Sequence, residues 1–469
     1  MSEFAKIEKF IEKNQDKAVD ASRKIWEYAE LSHEETQSAE LLSHILEEEG
    51  FSVERGVCGQ STAFVATYGS GKPVIGLLGE YDALPNLSQK AGITHKEVRS
   101  DTTNGHGCGH NLIGAGALLA AISVKDYLEE TGTKATIRYY GCAGEEHIGV
   151  KPLMAKAGLF RDTDCVFAWH PETTNSIQNL RHFAVKQFQV EFHGKTSHAG
   201  SSPELGRSAL DACELMNVGC NYLREHVVQN ARIHYAYTNA GGTACNVVPD
   251  HAMLTYGVRA LKMEDVDEII ERIKDVARGA ALMTGTTVDI HPPLFGYSDF
   301  FQNSVISGIA SEAMAEVGAP AWSEEDFAKS AEYLASYDAG MQNDLEKIVH
   351  VRYPQEQWAQ RMEKPLDTTV RTFVSGAAPV INAGSTDVGD VAYVTPTTYF
   401  FVACSCMASP AHSWFWTSSV GSKIGQKGMV TAAKILALSC VKAIHDPEKL
   451  KAAREEWLAV TGGQYHCPV

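Results

Sequence analysis

The 469-residue sequence contains no run of about 18 apolar residues, the length a helix needs to cross a bilayer, so no membrane-spanning helix is expected. The polar start Met1-Ser-Glu-Phe-Ala-Lys6 lacks the apolar stretch of a secretory signal. Positive charge is in short supply: 41 Lys and Arg stand against 58 Asp and Glu, a formal net charge of -17. That balance argues against nucleic acid or an anionic membrane surface as partner. A small anionic substrate stays open, because one local Arg or His outweighs the global field. No low-complexity tract and no internal repeat appears, which removes disordered and repeat architectures. The 11 cysteines are scattered and odd in number. Without a signal segment they read as reduced thiols of a cytoplasmic protein, most of them inert core residues.

What is present is the composition of a globular protein, 44% hydrophobic and 21% charged, at a length that calls for two domains. The first 50 residues carry helical spacing (Ile7, Phe10, Ile11; Ile25, Tyr28, Ala29). Strand-like runs follow at 51–53, 61–68 and 73–78, then a helix over 112–128, a strand over 135–140, a helix over 150–157 and a strand over 165–169. Strands alternating with helices predict an α/β domain with a mostly parallel core sheet. Residues 184–295 break that rhythm as strand, helix, two strands and helix, with a short further strand possible, which predicts an inserted α+β domain. The expected division is a catalytic domain of 1–183 and 296–469 around an insert of 184–295. The polar segment 340–370 reads as a long loop, and the last apolar helix as 429–444.

The chemistry is concentrated in Asn104-Gly-His-Gly-Cys-Gly-His-Asn111 and Gly144-Glu-Glu146. A Gly-rich loop with one Cys and one His is by itself more often a turn than a site, and paired acids are usually solvated. Trp169-His170-Pro171 and Ser409-Pro-Ala-His412 could equally be ordinary histidines. Their joint position changes the balance, because several fall at successive strand ends of one sheet, where sites of α/β domains lie. Cys108, His110, Glu146, His170 and His412 then give five protein ligands. That is too many for one open catalytic zinc and suits two metals, particularly with one bridging side chain. Glu145, beside a ligand, is placed to move a proton between water and leaving amine. The chain reads as a metal-dependent hydrolase. A Cys ligand favours zinc, while His and Glu also suit manganese.

These residues fall in motifs that resemble the dinuclear metallo-aminoacylase and carboxypeptidase family, in its amidohydrolase branch. The matches are Gly79-Glu-Tyr-Asp-Ala-Leu-Pro85, Gly107-Cys-Gly-His-Asn111, Gly144-Glu-Glu146, Trp169-His-Pro171, Ser197-His-Ala199 and Asn246-Val-Val-Pro-Asp250, in family order across most of the chain. Gly384-Ser-Thr-Asp-Val-Gly-Asp390, Gln426-Lys-Gly-Met429 and Tyr465-His-Cys-Pro468 add detail. The resemblance implies a mixed-sheet, exopeptidase-like catalytic domain with an inserted lid that also serves dimerisation. It implies two divalent ions, Mn or Zn, with Cys108 as the bridge. It assigns His198 to the substrate carbonyl, presented by a partner chain, and Asn246 and Arg259 to the substrate carboxylate. The implied reaction is hydrolysis of an N-acyl amino acid, an aromatic acyl glutamate such as p-aminobenzoyl-glutamate first among them. Rivals are a dipeptidase or general aminoacylase, and, from another class, a non-catalytic subunit of a hydrolase complex. A homodimer is expected, and a further possible partner is a related subunit. Two departures stand out. Asn111 replaces an Asp of many relatives, and Glu80 occupies a position where distant members carry a ligand His. Asp82 is held only as a group behind the ligands.

Overall fold

The computed structural model describes residues 2–469. The chain divides into two compact units, one of Met1–Leu180, Gln302–Val380 and Val391–Tyr465, the other of Arg181–Phe301, Ile381–Asp390 and His466–Val469. In the larger unit α1 (Glu3–Tyr28) starts where the Ser2 hydroxyl accepts from Ala5 N and ends at Ala29, whose φ of 46° puts it in the left-handed region. Ile7, Phe10, Ile11, Ala18 and Ile25 bury one stripe of this helix. After α2 (Thr36–Glu48) come β1 (Ser52–Arg55), β2 (Phe64–Gly69) and β3 (Val74–Glu80). β3 is buried at every residue, as a strand covered on both faces should be. Then follow α3 (His110–Thr131), β4 (Thr136–Cys142), α4 (Lys151–Ala157), β5 (Cys165–Glu172) and the two-residue β6 (Asn175–Ser176).

The smaller unit is an antiparallel sheet of β7 (Ala184–His193), β8 (Arg232–Asn239), β9 (His251–Ala260), β10 (Thr287–Ile290) and β11 (Phe295–Tyr297), with helices α5 (Ala209–Leu223) and α6 (Met263–Thr284). Its spatial order is β10-β7-β9-β8, with β11 also paired to β7. Phe188, Val190 and Phe192 of β7 pack with Leu254, Tyr256 and Val258 of β9 against Met216, Cys220, Ile270 and Ile273 of the helices. Alternate residues, Glu191 and His193 among them, leave that core on the other side. This unit reaches past residue 295 because Phe295 pairs with Gln187, and Arg259 Nη1 donates to Ser385 Oγ at 2.8 Å.

The chain re-enters the larger unit through α7 (Ser304–Val317), α8 (Glu324–Leu334), α9 (Ala339–Arg352), α10 (Trp358–Glu363), β12 (Val370–Arg371), β13 (Thr397–Ala403), α11 (Trp414–Val420), α12 (Lys423–His445) and α13 (Pro447–Thr461). The completed sheet runs β1-β2-β4-β3-β5-β13-β6-β12. β4, β3, β5 and β13 are mutually parallel, while β1, β2 and the β13–β6 pairing make the sheet mixed. α3 lies on β3 and is covered by α1 and α12. α3 and α12 are long and apolar enough by composition to cross a membrane, but most of each is buried inside the fold.

The expected loop at 340–370 is instead α9 and α10. Leu345 and Val349, four residues apart, are buried in a cluster with Tyr333, Tyr353, Leu366 and Phe415, and Met341 and Ile348 pack against it. Polar residues between these positions hide the helical period from a reading by composition. The last helix also begins earlier than expected, at Lys423, and a further one follows.

Candidate metal centre

Three parallel strands and two loops, those of Cys108 and His412, deliver the site. Asp82 leaves the end of β3, Glu145 and Glu146 form the turn after β4, and His170 sits near the end of β5. The Cys108 loop is clamped beside them. Leu84 and Gly105 exchange backbone hydrogen bonds at 3.0 Å each way, and the Gly107 carbonyl accepts from His412 N at 2.8 Å. Gly109 closes the loop at φ 87°, and a Cβ there would lie 2.8 Å from Pro171. Glycine is therefore required on two grounds, backbone angle and close approach. His110 opens α3, fully buried.

The five expected ligands converge. Cys108, His110 and His170 form one group and Cys108, Glu146 and His412 another, with the ligand atoms in each within 4.8 Å of one another. Cys108 belongs to both. Its Sγ is 3.3 Å from His170 Nε2, and Glu146 Oε1 lies 3.7 Å from His412 Nε2. Glu145 reaches the same space, its Oε2 3.9 Å from His110 Nε2.

The electrostatics of the bare protein are poorly balanced. His110 Nε2 and Glu146 Oε1 are buried without a hydrogen-bond partner, a cost proteins rarely leave uncompensated. Burial, with the Glu146 charge beside it, pushes the Cys108 thiol well above its usual range. Burial also raises Glu146, with Asp82 adding to the effect. Two divalent cations would satisfy each of these atoms and hold the thiol as thiolate. The donor set of one Cys, three His and one Glu fits them.

Behind the ligands stand groups the sequence reading held loosely or missed. Asp82 Oδ1 accepts from His110 Nδ1 at 2.8 Å, and Oδ2 accepts from Ser32 Oγ and Glu146 N. Burial works against its charge, but His110 and these donors hold Asp82 down at about 2. It orients two ligands at once. Glu80 pairs with buried Lys151 at 2.6 Å and places Oε2 3.5 Å from His110 Nε2. No local pattern joins residues 80 and 151, though a Lys at the start of a buried helix was a visible signal. Asn111 lies away from the ligands, its Nδ2 facing the Ser22 and Val420 carbonyls at 3.4 Å.

The smaller unit holds the other three expected residues. His198 is exposed, and its Nδ1 accepts from Gly200 N and Ser201 N at 3.1 Å. A neutral ring with Nδ1 so engaged carries its proton on Nε2, as an outward donor. Asn246 is exposed and its carbonyl accepts from Ala199 N. Arg259 is half-buried, and among the described residues no carboxylate lies within ion-pair distance of it.

The chain is similar to known proteins over nearly its whole length. Residues 180–283 match the family model for a peptidase dimerisation domain. The chain is 40% identical over 467 residues to one subunit of the p-aminobenzoyl-glutamate hydrolase of Escherichia coli, covering 99% of this chain and 96% of that one. It is 28% identical to Xaa-Arg dipeptidase of mouse, over 93% and 88% of the two chains. Among solved structures, an aminobenzoyl-glutamate utilization protein from Klebsiella pneumoniae superposes with a TM-score of 0.61 at 18% identity, covering 92% and 98%. A dinuclear metal binding peptidase from Bacillus subtilis, of the M20 family, superposes with a TM-score of 0.56 at 17% identity, covering 91% and 98%.

Proposed function

The chain belongs to the M20 peptidase family, and from that premise we propose that it is a two-metal amidohydrolase of N-acyl amino acids, with p-aminobenzoyl-glutamate the leading substrate. The observation that carries this reading is Cys108's membership of both ligand groups, with Glu145 reaching into the same space. Cys108, His110 and His170 would hold one ion, and Cys108, Glu146 and His412 the other. Two bound ions would supply Lewis acidity toward the scissile carbonyl and acidify the attacking water, in zinc or manganese form.

The chain's own residues do the rest. Glu145 accepts the proton of the attacking water and returns it to the departing amine nitrogen. Asp82 holds the His110 ring and the Glu146 backbone in place, so the ligands need no rearrangement. Arg259, which has no acidic partner among the described residues, pairs with the substrate carboxylate, and Asn246 donates to it. The partner subunit's His198 gives its Nε2 proton to a hydrogen bond with the carbonyl oxygen as negative charge develops there. The similarity of residues 180–283 to a dimerisation domain supports a homodimer. The scattered, odd-numbered set of 11 cysteines supports a reducing, cytoplasmic setting.

The mouse relative favours a second reading, dipeptide hydrolysis on the same machinery. A panel of p-aminobenzoyl-glutamate, other N-acyl amino acids and Xaa-Arg dipeptides, assayed with added manganese or zinc, separates the two. Glu145→Gln tests the mechanism: metal content should persist while turnover falls on the order of a hundredfold or more. Unchanged turnover would remove Glu145 from the proton path. The E. coli relative is by name one of two kinds of chain in its hydrolase, and the other kind is also similar to this chain. Turnover by the purified chain alone would establish that it needs no such partner.

A further inference from the structure

A second group of metal-ligating side chains stands on the smaller unit, on the sheet face turned away from α5 and α6. Burial alternates along β7, so that Val190 and Phe192 enter the core while Glu191 and His193 leave it. His193 and His251 are direct cross-strand partners with stacked rings 5.6 Å apart, and Asp289 of β10 lies opposite Glu191. His291, just past β10, is fixed by its N–H to Gln189 O at 3.0 Å. Glu191 gathers the imidazoles. Its Oε1 is 2.5 Å from His251 Nε2 and 3.9 Å from His193 Nε2, and its Oε2 is 2.8 Å from His291 Nε2. The ligand atoms of Glu191, His193 and His251 lie within 4.8 Å of one another.

We propose that Glu191, His193 and His251 bind one zinc ion on this face, with a water as the fourth ligand and His291 holding the other oxygen of Glu191. One histidine would suffice to pair Glu191, yet two contact it directly and a third, His193, which pairs with Asp289 at 3.1 Å, stands 3.9 Å away. Imidazoles with a single carboxylate suit zinc, and are too poor in oxygen for calcium or magnesium. Tetrahedral bonds of about 2.0–2.1 Å set ligand atoms roughly 3.3 Å apart. The Glu191–His251 contact at 2.5 Å must open and the Glu191–His193 contact at 3.9 Å must close, each by less than about 1 Å. Half-exposed side chains make such adjustments by small χ changes. The ion would tie β7 to β9, with His291 just past β10 joined to it through Glu191.

Asn239 supplies a specific check. Its Nδ2 faces His251 Nδ1 at 2.9 Å while its Oδ1 accepts from Gly241 N at 2.8 Å. Zinc on Nε2 leaves the imidazole proton on Nδ1, opposed by that amide N–H. A carboxylate at 239 would accept the proton and still serve Gly241.

The full-length enzyme is equilibrated with zinc, freed of excess metal and analysed for zinc per chain, wild type beside His193→Ala/His251→Ala and Glu191→Gln. The wild type should retain one ion more than either variant, with amide turnover alike in all three. Asn239→Asp should retain that ion at about tenfold lower free zinc. Equal zinc in the wild type and both variants would overturn the site. So would an Asn239→Asp protein that binds zinc no better than the wild type.

Discussion

Cys108 is where the two ligand groups meet, and burial alone would keep its thiol protonated. Asp82 touches His110, Ser32 and the Glu146 backbone, so one carboxylate positions both halves of the site. Glu35 lies behind Asp82, buried, accepting from Gly144 N and Thr62 Oγ1. Burial first, and then the Asp82 charge, raise its carboxyl from 4.5 to about 7. A folded-state value above the unfolded one contributes stability that is present below the unfolded pKa and is lost as pH rises through the folded one. The wild type should therefore lose on the order of 3 kcal/mol from this group between about pH 4.5 and 7. Glu35→Gln removes that loss, so its melting temperature should gain on the wild type between pH 5 and pH 8. An equal difference at both pH values would show that Glu35 ionises normally.

Among the elements, α9 illustrates what a polar surface conceals. Leu345 is fully buried against aromatic neighbours, and Leu345→Ala should cost about 2–5 kcal/mol in chemical denaturation. A cost below about 0.5 kcal/mol is what an exposed loop position would give. The periodic apolar positions Met341, Leu345, Ile348 and Val349 were legible, but charged residues between them made 340–370 read as loop. The strands were easier, because β3 and the first five residues of β5 are nearly continuous apolar runs that end in polar candidate site residues. Glu80–Lys151 and the reach of Asp82 were not legible. Such pairings depend on which strands become neighbours, and the β4-β3-β5 order is set by packing rather than by any local signal.

At the scale of the molecule, the candidate residues are divided between the two units: the proposed ligands and Glu145 lie in one, His198, Asn246 and Arg259 in the other. If the partner subunit's His198 serves the site, inactive His198→Ala and Glu145→Gln chains should complement each other. Random exchange at equal amounts places one complete site in half the dimers, or roughly a quarter of wild-type activity. No recovery after demonstrated exchange would place His198 outside the reaction. The central claim is the pair of ions sharing Cys108, and metal content measures it most directly. In the His193→Ala/His251→Ala background, which removes the second cluster, the chain equilibrated with zinc or manganese should hold about two ions, and at most one after Cys108→Ala. A firm value of one ion per chain with Cys108 intact would contradict it.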